Sequence, residues 1–310
     1  MVNLDINYMN KKTLFKVTRI IIGVLILGLL LYSVGISKIY ENLIKLSIFS
    51  LILFILTYFV AWFFTALTTK IIISPLGFKI NFFELFRIRA ISWCIGQLLP
   101  GRIGEFSLVY LLKKQNISTG VGGVIFFLDN IITLVTLFLI SIIGFFTFFT
   151  VQQSLQLIAI VCILFIIGSF FIFSKMGRKL ITKHILRKYS FIFEGFSKNL
   201  FSFFSKHYKY LILNLFVTLI KWVCISFIFY LLIILFGGIV SFYYVFLILS
   251  MTTIISLIPI TLSGLGLRET SAVYLYSLVS VDGGIILTIQ LIYLFFNYIF
   301  AFFALTLYKK

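Results

Sequence analysis

The chain has 310 residues, 62% of them hydrophobic and 11% charged, with a mean hydropathy of +1.20 and a formal charge of +18. Soluble domains carry about 25% charged residues, so this composition excludes a water-soluble fold and defines a polytopic membrane protein. The lysines and arginines lie between apolar runs, which excludes a nucleic-acid role and matches the positive-inside rule and attraction to anionic headgroups.

Lys11, Lys12, Lys16 and Arg19 precede the first apolar run. The run is long for a signal core and lacks a small-residue cleavage site, so it is read as a retained span over 18–37. The second span covers 46–69, after a loop holding Lys38, Glu41 and Lys45. A polar stretch follows with Lys70, Lys79, Arg87 and Arg89 against Glu84. Then comes a broken segment: an apolar run to Leu99, the cluster Pro100-Gly101-Arg102-Ile103-Gly104-Glu105, and a short run to Leu112. The second limb is too short to cross a core of about 30 Å as a helix, and a re-entrant hairpin is expected.

Span three covers 121–149, Thr150 to Ser154 make a turn, and span four ends near Phe173. The stretch 175–209 is the most basic, with nine lysines and arginines against Glu194. Interleaved phenylalanines give it the character of an amphipathic helix on the cytoplasmic surface. Span five covers 210–236 and turns at Gly237-Gly238. A second broken segment over 242–281 is interrupted from Pro259 to Glu269, and Asp282-Gly283-Gly284 lead into the last span, 285–308.

The expected fold is an all-α membrane protein. It has six full transmembrane helices and two re-entrant or broken hairpins, in one integral domain over 1–310. The order span, span, hairpin, span occurs twice, over 18–149 and 155–308. The hairpins enter from opposite faces, an inverted repeat as in many secondary transporters. With both termini cytoplasmic, the basic loops 70–89, 113–120 and 175–209 fall inside, and the uncharged loops near 150 and 237 fall outside.

The two interruptions carry the candidate chemistry. Gly101 and Gly104 let backbone amides approach a ligand, because glycine has no Cβ. A helix starting near Ile103 would turn its positive end to an anion, and the Arg102 guanidinium suits phosphate. Gly264, Gly266, Arg268 and Glu269 repeat the pattern, with Pro100 and Pro259 opening the two clusters. In each, the arginine and glutamate either serve a ligand or form an internal ion pair. Asp129 is a carboxylate inside span three, with Arg102 or Lys221 as expected partner. Lys221 sits near the middle of span five, where pairing with a carboxylate is favoured over snorkelling.

No metal or other cofactor is expected. Cys94, Cys162 and Cys224 are scattered, and His184 and His207 stand alone in the basic stretch. No Walker loop, HExxH or nucleophile elbow is present, so the chain is read as a non-enzyme. The sequon Asn116-Ile117-Ser118 shares its loop with Lys113 and Lys114 and is read as cytoplasmic and unmodified.

Leu99 to Glu105, followed by Asp129, resembles the P-x-R-x-G-E…D signature of the lysylphosphatidylglycerol synthase transmembrane region, or flippase-like, family. Ile258-Pro259 through Glu269 resembles that family's P-x-x-x-G-G-x-G-x-x-E segment, with Ser263 in place of the first glycine. Ser107 and Leu108 stand where the family often has an arginine. The resemblance implies a lipid translocator of a prokaryotic inner membrane. Its partners would be membrane lipids with an anionic headgroup, and a lipid-modifying enzyme where one is present. The arginines would hold the headgroup, and Glu105, Glu269 or Asp129 would couple the step to protons. A transporter of a small soluble anion, and a membrane partner of a lipid-modifying synthase, stay open beside it.

Overall fold

The structure is a computed structural model. It describes residues 18, 21–98, 104–174, 176–177, 196–258, 261 and 264–308. The described chain is α-helical: α1 (Ile21–Val34), α2 (Ile36–Ile44), α3 (Ile48–Ile73), α4 (Phe82–Leu98), α5 (Ser107–Lys113), α6 (Thr119–Phe148), α7 (Val151–Phe173), α8 (Phe196–Lys206), α9 (Tyr208–Leu235), α10 (Phe242–Ser256), α11 (Leu267–Ser277) and α12 (Gly283–Tyr308).

Five stretches are long and apolar enough to cross a membrane: Ile48–Leu76, Thr119–Phe148, Val151–Gly168, Tyr208–Leu235 and Gly283–Phe303. They match five of the six expected spans. The sixth differs. Helix α1 stops at Val34, and α2 leaves it at 81°, so a straight span over 18–37 and a loop over 38–45 are both corrected. Gly35, at φ 94°, makes the bend. The reason lies in the residues after it. Ile36, Tyr40, Leu43 and Ile44 share one exposed face, and Ile39 and Asn42 point inward. That amphipathic period favours a short helix over a loop.

The chain divides into two compact units, with boundaries inside α3, α4 and α9. The first comprises residues up to Val60, Trp93–Glu105 and Val223 onward. In it α2 and α11 pack on α12, and α10 packs on α11. Leu30, Ile39 and Leu287 form a buried cluster there, covered by Leu27, Val34, Val273 and Leu291. Asp282 starts α12 by accepting from the amides of Gly284 (2.7 Å) and Ile285 (3.3 Å), as an N-cap aspartate does. Its other oxygen meets Lys38 of α2 at 3.5 Å.

The second unit comprises Ala61–Ser92 and Phe106–Trp222. Its centre is α6, against which α5, α7 and α8 pack. Thr150 caps α7 reciprocally with Gln153, so the expected turn there is also a helix start. In helix α8 Leu200 and Phe203 are buried and Phe201 and Phe204 exposed. Residues 175 and 178–195 lie outside the described residues.

The helices flanking the two interruptions are short. Helix α5 has 7 residues and α11 has 11, roughly 10 and 16 Å at about 1.5 Å per residue. Backbone packs directly on backbone at both places. A Cβ on Gly104 would strike the Ile95 carbonyl and come within 2.8 Å of the Gly96 amide nitrogen. A Cβ on Gly266 would lie 2.7 Å from the Gly23 carbonyl oxygen of α1, and Gly266 has φ 78°.

Gly266→Ala is therefore expected to lower the melting temperature in detergent, through a left-handed backbone costing roughly 1–2 kcal/mol and a clash with α1. Gly28→Ala, on the same helix with nothing within 4 Å, is expected to leave it unchanged or raise it. Equal melting of the two variants would contradict this packing.

Candidate functional site

The second interruption is described from Gly264 onward, and its charges are paired. Glu269 is the third residue of α11, and its Oε2 accepts from the Gly266 backbone N–H at 2.7 Å. Glycine has no side chain to cap the helix, so Glu269 reaches back and satisfies an amide that would otherwise be bare. Its Oε1 accepts from Arg268 Nε at 3.2 Å and Nη2 at 2.8 Å. Both carboxylate oxygens are thus used. The Glu269 side chain is 1% exposed and that of Arg268 19%. The internal ion pair read as one alternative is present.

The pair leaves an edge of the arginine. Among the described residues, Arg268 Nη1 makes no hydrogen bond, and the guanidinium lies over the Tyr293 ring, 5.4 Å from its centroid. A cation over an aromatic face is held without spending its N–H groups. Tyr293 is fixed in turn by Tyr58, whose ring stacks on it at 5.0 Å and whose hydroxyl donates to the Tyr293 carbonyl at 2.7 Å. The same hydroxyl lies 2.8 Å from the Asn297 side-chain amide. One O–H cannot donate twice, so Asn297 turned with its NH₂ toward Tyr58 satisfies both contacts. Trp93 meets the Tyr58 ring edge-on at 5.8 Å, and Phe300 lies 4.7 Å away.

At the first interruption, Gly104 and Glu105 are described; Pro100, Gly101 and Arg102 lie outside the described residues, as does Pro259 at the second. Glu105 packs against Gly96, where a Cβ would strike its Cγ and lie 3.2 Å from Oε1. Gly96 is thus the place in α4 that admits Glu105. The helix expected near Ile103 is met by a 3₁₀ turn over 104–106 that runs into α5, and Ile103 itself lies outside the described residues.

Gly104, Glu105, Gly264, Gly266, Arg268 and Glu269 all belong to the first unit, and Asp129 and Lys221 to the second. The expected partner of Asp129 is corrected. Among the described residues its Oδ2 pairs with Arg89 Nη2 of α4 at 2.8 Å in place of Lys221, and Arg102 lies outside the described residues. By sequence alone Arg89 stands among the charges of a polar stretch. Arg87 and Arg89 project about 200° apart on a helix, and only one can face the surface; Arg87 does, beside Glu84 at 3.6 Å. Lys221 is buried at mid-helix, its ammonium 5.9 Å from the Trp222 ring centroid.

A family model described as the lysylphosphatidylglycerol synthase TM region matches residues 16–304. The chain belongs to this family. No curated protein matches it. The family takes its description from the membrane part of a synthase. Among the described residues no group of three or more His, Cys, Asp and Glu stands together as a metal site. Tyr58, Trp93, Tyr293 and Asn297 are the site residues that motif spacing misses. They sit in apolar runs where tyrosine reads as interface belt, and only the fold brings them under Arg268.

Glu269→Gln would leave Arg268 without its counter-charge. Breaking a buried pair by removing one partner costs about 3–5 kcal/mol, so this variant is expected to lose most of its folded fraction on denaturant titration. Tyr58→Phe loses the two neutral hydrogen bonds of its hydroxyl, about 1 kcal/mol each, and is expected to stay folded. The reverse order of stability would refute the geometry.

Proposed function

We propose that the chain is a flippase-like translocator that moves a phospholipid or lipid-linked intermediate across a prokaryotic inner membrane. The observation that carries this is Arg268: a buried guanidinium, neutralised by Glu269 and braced on Tyr293, that keeps one N–H edge uncommitted among the described residues. Such an edge suits a phosphate oxygen. Membership of a family described by a phospholipid synthase's membrane region supports a lipid as the carrier of that phosphate.

In this reading the two interruptions are re-entrant and enter from opposite faces, as the halves of an inverted repeat over 18–149 and 155–308 within one integral domain. The short α5 and α11 support it, as does the presence of Glu105 and Glu269 in one compact unit. Arg102 and Arg268 engage the headgroup with Pro100, Gly101, Gly104, Pro259, Gly264 and Gly266 shaping the approach, and the tails remain in lipid. Glu105 and Glu269, in one unit with Arg268, would couple the step to protons. Both termini are cytoplasmic by the charge of the loops.

The family's description favours one second reading, a membrane partner of a lipid-modifying synthase. It differs in requiring the partner for any movement of lipid.

In liposomes reporting headgroup exposure, the wild-type protein alone is expected to speed transfer. Arg268→Gln combined with Glu269→Gln, which leaves no charge of the pair alone, and Arg102→Ala combined with Glu105→Gln, are each expected to slow it by more than about tenfold, the scale of losing one buried charge contact. Wild-type rates in both variants would refute the proposal. Transfer that needs an added synthase would move the chain to the second reading.

A further inference from the structure

The Arg89–Asp129 pair in the second unit is incomplete as a structural ion pair. Finished pairs of this kind use both carboxylate oxygens, bidentate or through extra donors. Here Oδ2 takes the Arg89 contact at 2.8 Å, and Oδ1 is buried with no hydrogen-bond partner among the described residues. Thr69 Oγ1 lies 3.4 Å from Oδ2, but its single proton has a better acceptor in the Thr65 carbonyl at 2.8 Å. Asp129 is therefore held by one group, with its side chain 4% exposed. A bare buried oxygen on a charged group costs at least about 1–3 kcal/mol. Structural need alone does not explain its retention, because a neutral, fully bonded pair would hold α4 to α6 better.

The surroundings of Arg89 are cationic. Lys70 of α3 lies over Phe82 at the start of α4, 5.9 Å from the ring centroid. Gln115, just past α5, donates to Glu84 of α4 at 3.3 Å. These two contacts bring together the end of α3, the start of α4 and the end of α5. Lys70, Lys79, Arg87, Lys113 and Lys114 therefore gather at one end of the unit, with Glu84 as the acidic residue among them. Lys79, Lys113 and Lys114 are exposed. Arg89 stands two residues further along α4. Asp129 is the eleventh residue of α6, about 15 Å from its start and so near half of a core of about 30 Å. A cluster of cations beside an arginine concentrates anions.

We propose that Arg89 is an anion-binding residue for a phosphate group, and that Asp129 occupies it here as an internal substitute that the phosphate displaces. A phosphate at Arg89 would meet the cation that one carboxylate oxygen now meets, and Asp129 would give up a single contact. Binding of phosphate and closure of the internal pair are thus mutually exclusive. Inorganic phosphate and a lipid headgroup offer the same chemistry; the choice of the lipid rests on the function proposed above.

The test is equilibrium binding to the full chain in phosphatidylcholine nanodiscs, with inorganic phosphate and short-chain phosphatidylglycerol as separate probes. Asp129→Asn removes the competitor and is expected to tighten binding by about tenfold, within the usual range of coupling between exclusive ligands. Arg89→Gln added to Asp129→Asn is expected to abolish the gain, and Lys38→Gln, at an exposed surface pair of the first unit, added to it to leave the gain intact. A gain for both probes supports the lipid source, and a gain for inorganic phosphate alone supports the anion site with free phosphate as its ligand. No gain for either probe, or a gain that survives Arg89→Gln, overturns the proposal. Should Asp129→Asn not fold, the wild-type background decides. Binding kept by Arg89→Lys and lost by Arg89→Gln supports the site, and equal binding by the two overturns it. No gain for either probe, together with lipid transfer lost when Arg268→Gln and Glu269→Gln are combined, would remove this inference and leave the proposed function standing.

Discussion

Backbone that leaves a helix inside a bilayer must find its hydrogen-bond partners within the protein. The short helices of this chain depend on that constraint. Where the chain stops being helical, it is laid on other backbone at distances that side chains would forbid: Gly104 on the Ile95–Gly96 peptide, and Gly266 on Gly23 of α1. Water is kept from the exposed peptides by the neighbouring main chain. Gly104 and Gly266 are thereby explained before any ligand is considered. The cost of placing Arg268 and Glu269 there is then met locally, by pairing, by a helix amide and by an aromatic face.

The two units handle buried charge differently. In the first, Glu269 spends both oxygens and Arg268 is supported from beneath by Tyr293, which Tyr58 and Asn297 hold in place. In the second, Asp129 spends one oxygen and leaves the other dry. A closed arrangement presents a fixed surface to whatever approaches, whereas an open one responds to it. The first unit therefore has the character of a platform, and the second that of a contact that can be exchanged.

Membrane class, five of the spans and the places where helices break were legible in the residues, because uncharged runs and glycine clusters act over short distances. The bend at Gly35 was not. Hydropathy over Ile20–Ser37 reads as one run, and the amphipathic period of α2 covers only two turns. Asp129 was legible as a buried carboxylate, but its partner was not. Arg89 lies forty positions earlier in a stretch that charge counting assigns to a loop, although its 200° offset from Arg87 held the clue. Tyr293 and Asn297 were illegible, since they become neighbours of Arg268 and Tyr58 only through packing across more than two hundred residues for Tyr58. A motif names the charges, and the fold supplies the groups that steady them.

Glu269 joins two tasks in one side chain, restraining the arginine and closing the first turn of α11. A change in its protonation or in the company of Arg268 is therefore also a change in how firmly that turn is wound. Electrostatic events at the guanidinium reach the main chain through a single carboxylate, without any relay of intervening residues.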